Sequence, residues 1–228
     1  MKLPLSNRLL ACASFVRPGD RVADIGCDHG YLGLHLLRSG TAGSVIAADV
    51  NEGPLLSAVR NAEKFGLRDK MRFYLSDGFR NVPRDFDCAV CAGMGADTMI
   101  SILSAAPWLR STQYRLILQC QSKRPELRRY LSDNGFRICR ETLARDGKFI
   151  YPVMEVAYGP AEPLTDAQCH ISPALLASGS ELLPEFLERV LGGLEITVNG
   201  LSRSGGEKYE YYDKLLQEVK ELAEGAAV

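Results

Sequence analysis

The segment Arg21-Val22-Ala23-Asp24-Ile25-Gly26-Cys27-Asp28-His29-Gly30-Tyr31 leaves this chain few folds to choose from. Val22, Ala23 and Ile25 read as a buried strand, Gly26 permits a tight turn, and Tyr31, Leu32, Leu34, Leu36 and Leu37 begin a helix. A second apolar run, Ser44 to Ala48, ends in Asp49. Strand, helix and strand in this order make a βαβ unit, the start of a nucleotide-binding α/β sheet. The turn itself excludes a pyrophosphate, which needs a glycine-rich helix N-terminus free of negative charge. Here Asp24 and Asp28 flank the turn. The glycines run Gly26-x-x-x-Gly30-x-x-Gly33, which is not the Gly-x-Gly-x-x-Gly of dinucleotide enzymes. An acidic turn suits a ligand with a sulfonium, an ammonium and ribose hydroxyls, namely S-adenosylmethionine.

The pattern continues down the chain. Leu5 to Val16 has helical spacing, and so does Glu52 to Phe65 with Gly66 as its stop. Met71 to Leu75, Phe86 to Cys91 and Tyr114 to Gln119 read as strands three, four and five. Helices are expected from about Asp97 to Ala105 and from Pro125 to Asn134. Phe136 to Thr142 and Phe149 to Tyr158 suggest a strand hairpin. The expected fold is α/β, a Rossmann-like doubly wound sheet with an antiparallel edge hairpin. Gly159-Pro160 marks a boundary, giving domains at 1–158 and 159–228. Past it, Leu183 to Leu201 and Tyr212 to Leu222 form two helical stripes broken at Ser202 to Gly206, a coiled-coil-like helical hairpin weakened by Gly192-Gly193.

The 228 residues suffice for one α/β core and an appendage. The net charge of −1 hides an asymmetry. Residues 1–158 hold 22 Lys and Arg against 16 Asp and Glu, and residues 159–228 hold 5 against 12. A basic front part can meet a polyanion, although chance partition of surface charge gives the same count. The seven cysteines are odd in number and lie mostly in apolar runs, as in a reduced, cytoplasmic protein. Cys88 and Cys91 have metal-like spacing but no second pair, so core packing is expected and no metal. The apolar run Leu9 to Val16 is too short for a membrane span or a signal peptide, and no membrane partner is expected.

Ligands of open α/β sheets bind outside the carboxyl ends of the strands. Those ends carry Asp24 to Gly30, Asp49, Ser76-Asp77-Gly78 and Gly93-Met94-Gly95. Asp49 is placed to accept ribose hydroxyls, and Asp77 an adenine amine. Gly26 admits the methionine part, and Met94 offers soft apolar contact. Cys27, Asp28, Asn51, Gly78, Gly93 and Gly95 complete the expected cofactor set. Local turn and N-cap roles are the competing explanation for Asp49 and Asp77. His29 is a candidate general base, with a structural hydrogen-bonded role as its alternative.

Several motifs occur together and in order: Leu5-Ser6-Asn7-Arg8-Leu9, Ala23 to Leu32, Asp49-Val50-Asn51-Glu52-Gly53-Pro54-Leu55, Ser76-Asp77-Gly78-Phe79, Ala92-Gly93-Met94-Gly95 and Leu116-Ile117-Leu118-Gln119. From Leu5 to Tyr158 this resembles the bacterial tRNA (adenine-22, N1)-methyltransferases, the TrmK family of class I S-adenosylmethionine-dependent methyltransferases. The acidic helical tail fits that family's C-terminal part. The chain departs at Cys27, Gly30, Gly33, Ala96 and Cys120, where the family pattern has Ser, Ala, Pro, Gly and Pro. The resemblance implies methyl transfer to adenine N1 in tRNA. Asp28 is then the first candidate for stabilising the cationic product, with Tyr31 as a stacking contact and His29 beside them. Arg8, Lys123, Arg124, Arg128 and Arg129 are the expected tRNA contacts, with a solvated helix face as the alternative for the last two. Two other classes stay open: a methyltransferase acting on another RNA, a protein or a metabolite, and a non-catalytic RNA- or partner-binding module.

Overall fold

Alternating apolar strands and amphipathic helices build one seven-stranded sheet in the computed structural model, which describes residues 3–203 and 205–225. The strands are β1 (Asp20–Ile25), β2 (Ala42–Asp49), β3 (Met71–Leu75), β4 (Cys88–Met94), β5 (Arg115–Cys120), β6 (Phe136–Asp146) and β7 (Phe149–Tyr158). Their spatial order is β3-β2-β1-β4-β5-β7-β6, with the first five parallel. β7 runs antiparallel to β5 and to β6, so the late hairpin forms the expected edge. The order reverses at β1 and β4, and that switch point is where ligands of such sheets bind.

Helices cover both faces. α1 (Asn7–Ala13), α2 (Tyr31–Arg38) and α3 (Glu52–Lys64) share a core with Val22, Val45, Val90 and Val153. α4 (Ala96–Ser104) and α5 (Arg124–Asp133) share the opposite one with Ile25, Leu116, Met154 and an aromatic group around Phe86. Most strand residues are buried on both faces, which is why they read as continuous apolar runs.

Several boundaries differ from the sequence reading. α1 spans Asn7–Ala13 instead of Leu5 to Val16, because its end tightens into Cys12–Phe15 and Ala13–Val16 turns. β4 starts at Cys88, since Phe86 turns its ring against Phe79, Trp108 and Tyr114. It runs on to Met94 past an irregularity at Gly93. β6 runs four residues past Thr142, to Asp146.

The C-terminal part contains α6 (Asp166–His170), α7 (Pro173–Leu176), α8 (Leu183–Leu201) and α9 (Glu207–Gly225). The two expected stripes are α8 and α9, which pack on each other and are tied by Lys220 to Glu195. Ser204, within the expected break, lies outside the described residues. Gly192 and Gly193 leave α8 continuous. The stripe reading missed α6 and α7, although each has a cap signal. Thr165 and Gln168 form a capping box, and Ser172 accepts from the Leu175 N–H ahead of Pro173. These helices enclose Leu143 and Ile150 of the hairpin in their own core. Among the described residues no helix is long and apolar enough to cross a membrane.

Candidate active site

The carboxyl ends of β1 and β4, the start of α2 and the edge of α1 enclose a cavity of about 250 Å³. Asp24, Gly26, Cys27, Asp28, His29, Tyr31, Gly93, Met94 and Arg8 line it, together with Leu9, Leu32 and Ala92. The acidic turn is thus the wall of a cleft, and two glycines set its shape. Gly26 has φ of 75°, and a Cβ there would stand 2.2 Å from Met94 Cε, so the methionine side chain crosses directly over the turn. Gly30 has φ of 70°, and its Cβ would stand 2.9 Å from Ala58 Cβ on α3. Gly26→Ala is expected to cost roughly 1–2 kcal/mol for the left-handed backbone alone. It should also displace Met94, which a lowered denaturant midpoint together with weaker cofactor binding would reveal.

Asp24 is the most unusual group in the cleft. It is 5% exposed, and its Oδ2 has no hydrogen-bond partner among the described residues. Burial pushes its carboxyl up to about 7; the Gly33 N–H opposes this, and the nearby Asp49 and Asp28 charges add to it. A buried carboxylate oxygen without a partner is costly to charge, and the Asp49 and Asp28 charges nearby make it costlier.

Asp49 accepts the Asp28 N–H at 3.0 Å on Oδ2 and the Asn51 N–H at 2.9 Å on Oδ1. Each of its oxygens keeps a second lone pair. Asp28 has φ of 49°, a left-handed backbone that aspartate tolerates better than most residues, and its side chain is 69% exposed. Its Oδ1 lies 3.6 Å from His29 Nε2, and the His29 and Tyr31 rings are 5.8 Å apart. Burial pushes the Cys27 thiol far up, so it carries no charge at neutral pH. Cys88 and Cys91 are buried in β4 and pushed up to about 12 by desolvation.

Across the cleft, Arg8 donates to Gln119 Oε1 at 3.0 Å and pairs with Asp146 at 3.2 Å. Gln119 Oε1 also accepts the Gly93 N–H at 3.0 Å. This chain of bonds holds the β4 end against α1 and the hairpin tip. The sequence reading assigned no role to Gln119 or Asp146. A glutamine buried at a strand end beside the cleft was the available signal for the first.

Asp49, Asn51 and the remaining expected site residues lie outside the cavity lining. Asp77 is 58% exposed and pairs with Arg80 at 3.3 Å. Gly78 packs under Ile102, and Gly95 caps α4. The expected basic RNA face is corrected most. Arg128 is fully buried and cannot meet a phosphate: it pairs with buried Glu141 and donates to the Cys169 and His170 carbonyls. Arg129 is bound to the Leu164 carbonyl and to Asp166. Arg124 lies half-buried over the Phe186 ring. These three cations fasten the C-terminal helices instead of facing solvent. Lys123 is exposed and pairs with Asp97 at 2.7 Å.

Known proteins place this cleft in a family. A methyltransferase-domain profile matches residues 5–154. The tRNA (adenine(22)-N(1))-methyltransferase of Bacillus subtilis is 30% identical over 166 residues, 72% of this chain and 70% of that one. The chain belongs to the TrmK family of tRNA methyltransferases. The crystal structure of the B. subtilis m1A22 tRNA methyltransferase TrmK superposes with a TM-score of 0.80 at 25% identity, covering 99% of this chain and 98% of that one. Sp1610 of Streptococcus pneumoniae, solved in complex with S-adenosyl-L-methionine, gives 0.79 at 29% identity, covering 96% and 99%. A Mycoplasma genitalium relative is 36% identical over 138 residues, 59% of this chain and 61% of that one. TrmK structures therefore match both the sheet and the helical tail, whereas the methyltransferase profile ends inside β7.

Proposed function

We infer that this chain is a cytoplasmic enzyme that methylates N1 of an adenine in tRNA, at the position its B. subtilis relative modifies, with S-adenosylmethionine as cofactor. The observation that carries this reading is the partnerless buried oxygen of Asp24 in an acidic cleft at the switch point of the sheet. The residues present fit that cofactor. Asp24 would hold its ammonium, the free lone pairs of Asp49 its ribose hydroxyls, and Asp77 its adenine amine once the exposed contact with Arg80 is exchanged. When bound, the cofactor supplies an electrophilic methyl carbon on a sulfonium.

The acceptor nitrogen lies on the Watson–Crick edge, so the base must leave its stack to reach the cleft. His29 and Tyr31 offer ring faces at the entrance. Asp28 presents its carboxylate to the positive charge the base acquires with the methyl group. Positioning and charge stabilisation carry the reaction, because a ring nitrogen needs no base to remove a proton before it attacks. Asp28→Asn keeps the left-handed backbone and removes the charge. It is expected to lower kcat roughly ten- to hundredfold, with a smaller change in cofactor affinity, in single-turnover assays.

The reading is tested with a tRNA transcript carrying adenine at position 22 and the same transcript carrying guanine there. Labelled methyl should enter the first only. Equal incorporation overturns the position, and no incorporation into either overturns the substrate.

A further inference from the structure

The hairpin β6–β7 is longer than the sheet it edges. The β5–β7 ladder ends at Leu118 and Met154, while the β6–β7 ladder continues to Asp146 and Phe149. Residues 149–151 therefore project past the carboxyl end of β5 by roughly 10 Å, on the side where the cleft opens. Strand alternation sorts their side chains. Ile150 enters the core of the C-terminal helices, whereas Phe149 and Tyr151 share the face of Val153, the face that α1 covers.

Phe149 is 51% exposed at the tip of the hairpin. Its ring lies 5.9 Å from that of Tyr151, and the Lys148 ammonium stands 5.3 Å above it. No carboxylate pairs with Lys148 among the described residues. The tip is anchored on both flanks. Asp146, opposite Phe149 in the ladder, binds Arg8 of the cleft wall, and Arg189 of α8 donates to the Lys148 carbonyl.

We propose that this tip is a stacking platform for an unpaired base of the tRNA next to the target adenosine, with Lys148 meeting the adjoining phosphate. The chemistry fits single-stranded RNA: an exposed ring beside a half-buried one, a cation with no carboxylate partner among the described residues, and a tip tied through Asp146 to Arg8 of the cleft wall. It rests on the tRNA reading above and adds a recognition surface that Arg124, Arg128 and Arg129, fastened to the C-terminal helices, do not supply.

The test compares Phe149→Ala and the Phe149→Ala/Tyr151→Ala pair with the wild type. Steady-state methylation of tRNA is measured alongside calorimetric cofactor binding. KM for tRNA should rise roughly 5- to 150-fold, the range for loss of one stacked base, while cofactor affinity stays within about twofold. Phe149→Tyr should restore the wild-type KM. An unchanged tRNA KM in the double variant, with the wild type active, overturns the platform alone. A wild type that neither binds nor methylates tRNA overturns the platform together with the reading it rests on.

Discussion

Asp24→Asn is expected to weaken S-adenosylmethionine binding by roughly 30- to 5,000-fold, the range for removing one partner of a buried charge pair. The fold should not suffer. The Asp24 carboxyl titrates near 7 in the folded chain because burial disfavours its charge, against about 3.9 when unfolded. Between those values the unfolded state has lost a proton that the native state keeps. The contribution of Asp24 to the stability of the free protein therefore falls as pH rises from about 4 to about 7, by up to ~4 kcal/mol. Asparagine removes that slope, so the variant should melt higher than the wild type at pH 8 while binding cofactor poorly. A cationic ligand reverses the preference. As pH rises toward about 7 the wild-type affinity should rise about tenfold per pH unit, with proton release in acidic buffer, and then level off until the cofactor's own α-ammonium deprotonates at about 8. The variant should show neither effect. Binding calorimetry across pH in two buffers of different ionisation enthalpy reads the affinity and the proton release, thermal unfolding at pH 8 reads the stability, and an affinity independent of pH would remove Asp24 from the site.

Arg128→Ala is expected to destabilise the protein by about 3–5 kcal/mol, which for a chain of this size lowers Tm by roughly 6–20 °C. The cause is the partner left behind. Glu141 is 3% exposed and holds Arg128 on one oxygen and the Ser172 hydroxyl on the other. Arg128 in turn binds the carbonyls that end α6. One buried ion pair thus joins α5, β6 and the start of α7. Glu141→Ala should cost a similar amount, since it strands a buried guanidinium. The double replacement Arg128→Met with Glu141→Leu should be less destabilised than either single change, because no uncompensated charge remains. Differential scanning calorimetry of the three variants decides, and a shift under about 2 °C for Arg128→Ala would contradict the pinning role.

The fate of Arg128 shows where the sequence stops being informative. Apolar periodicity and glycine punctuation located every strand and both long tail helices, because those patterns are set by burial within each element. The cleft was legible for the same reason: Asp24, Gly26, Asp28, Gly93 and Met94 sit at strand ends whose topology follows from the βαβ order. Charge partners were not legible. Arg124, Arg128 and Arg129 look like a basic helix face in one dimension. Only the placement of α6, α7 and α8 turns them toward carbonyls, a carboxylate and a ring. The full overhang was hidden likewise: the first hairpin strand reads as ending at Thr142, and only the packing of Leu143 and Ile150 on the C-terminal helices carries it to Asp146. Gln119 stood out as a polar residue closing an apolar strand, but its partners Arg8 and Gly93 lie on other elements and are not readable from that position.

The most direct test of the whole account is methyl transfer from labelled S-adenosylmethionine to unmodified bulk tRNA by the purified full chain, followed by nucleoside analysis. The account predicts that the label appears as N1-methyladenosine. Label in another nucleoside, or no label from a chain shown by calorimetry to bind the cofactor, would contradict it.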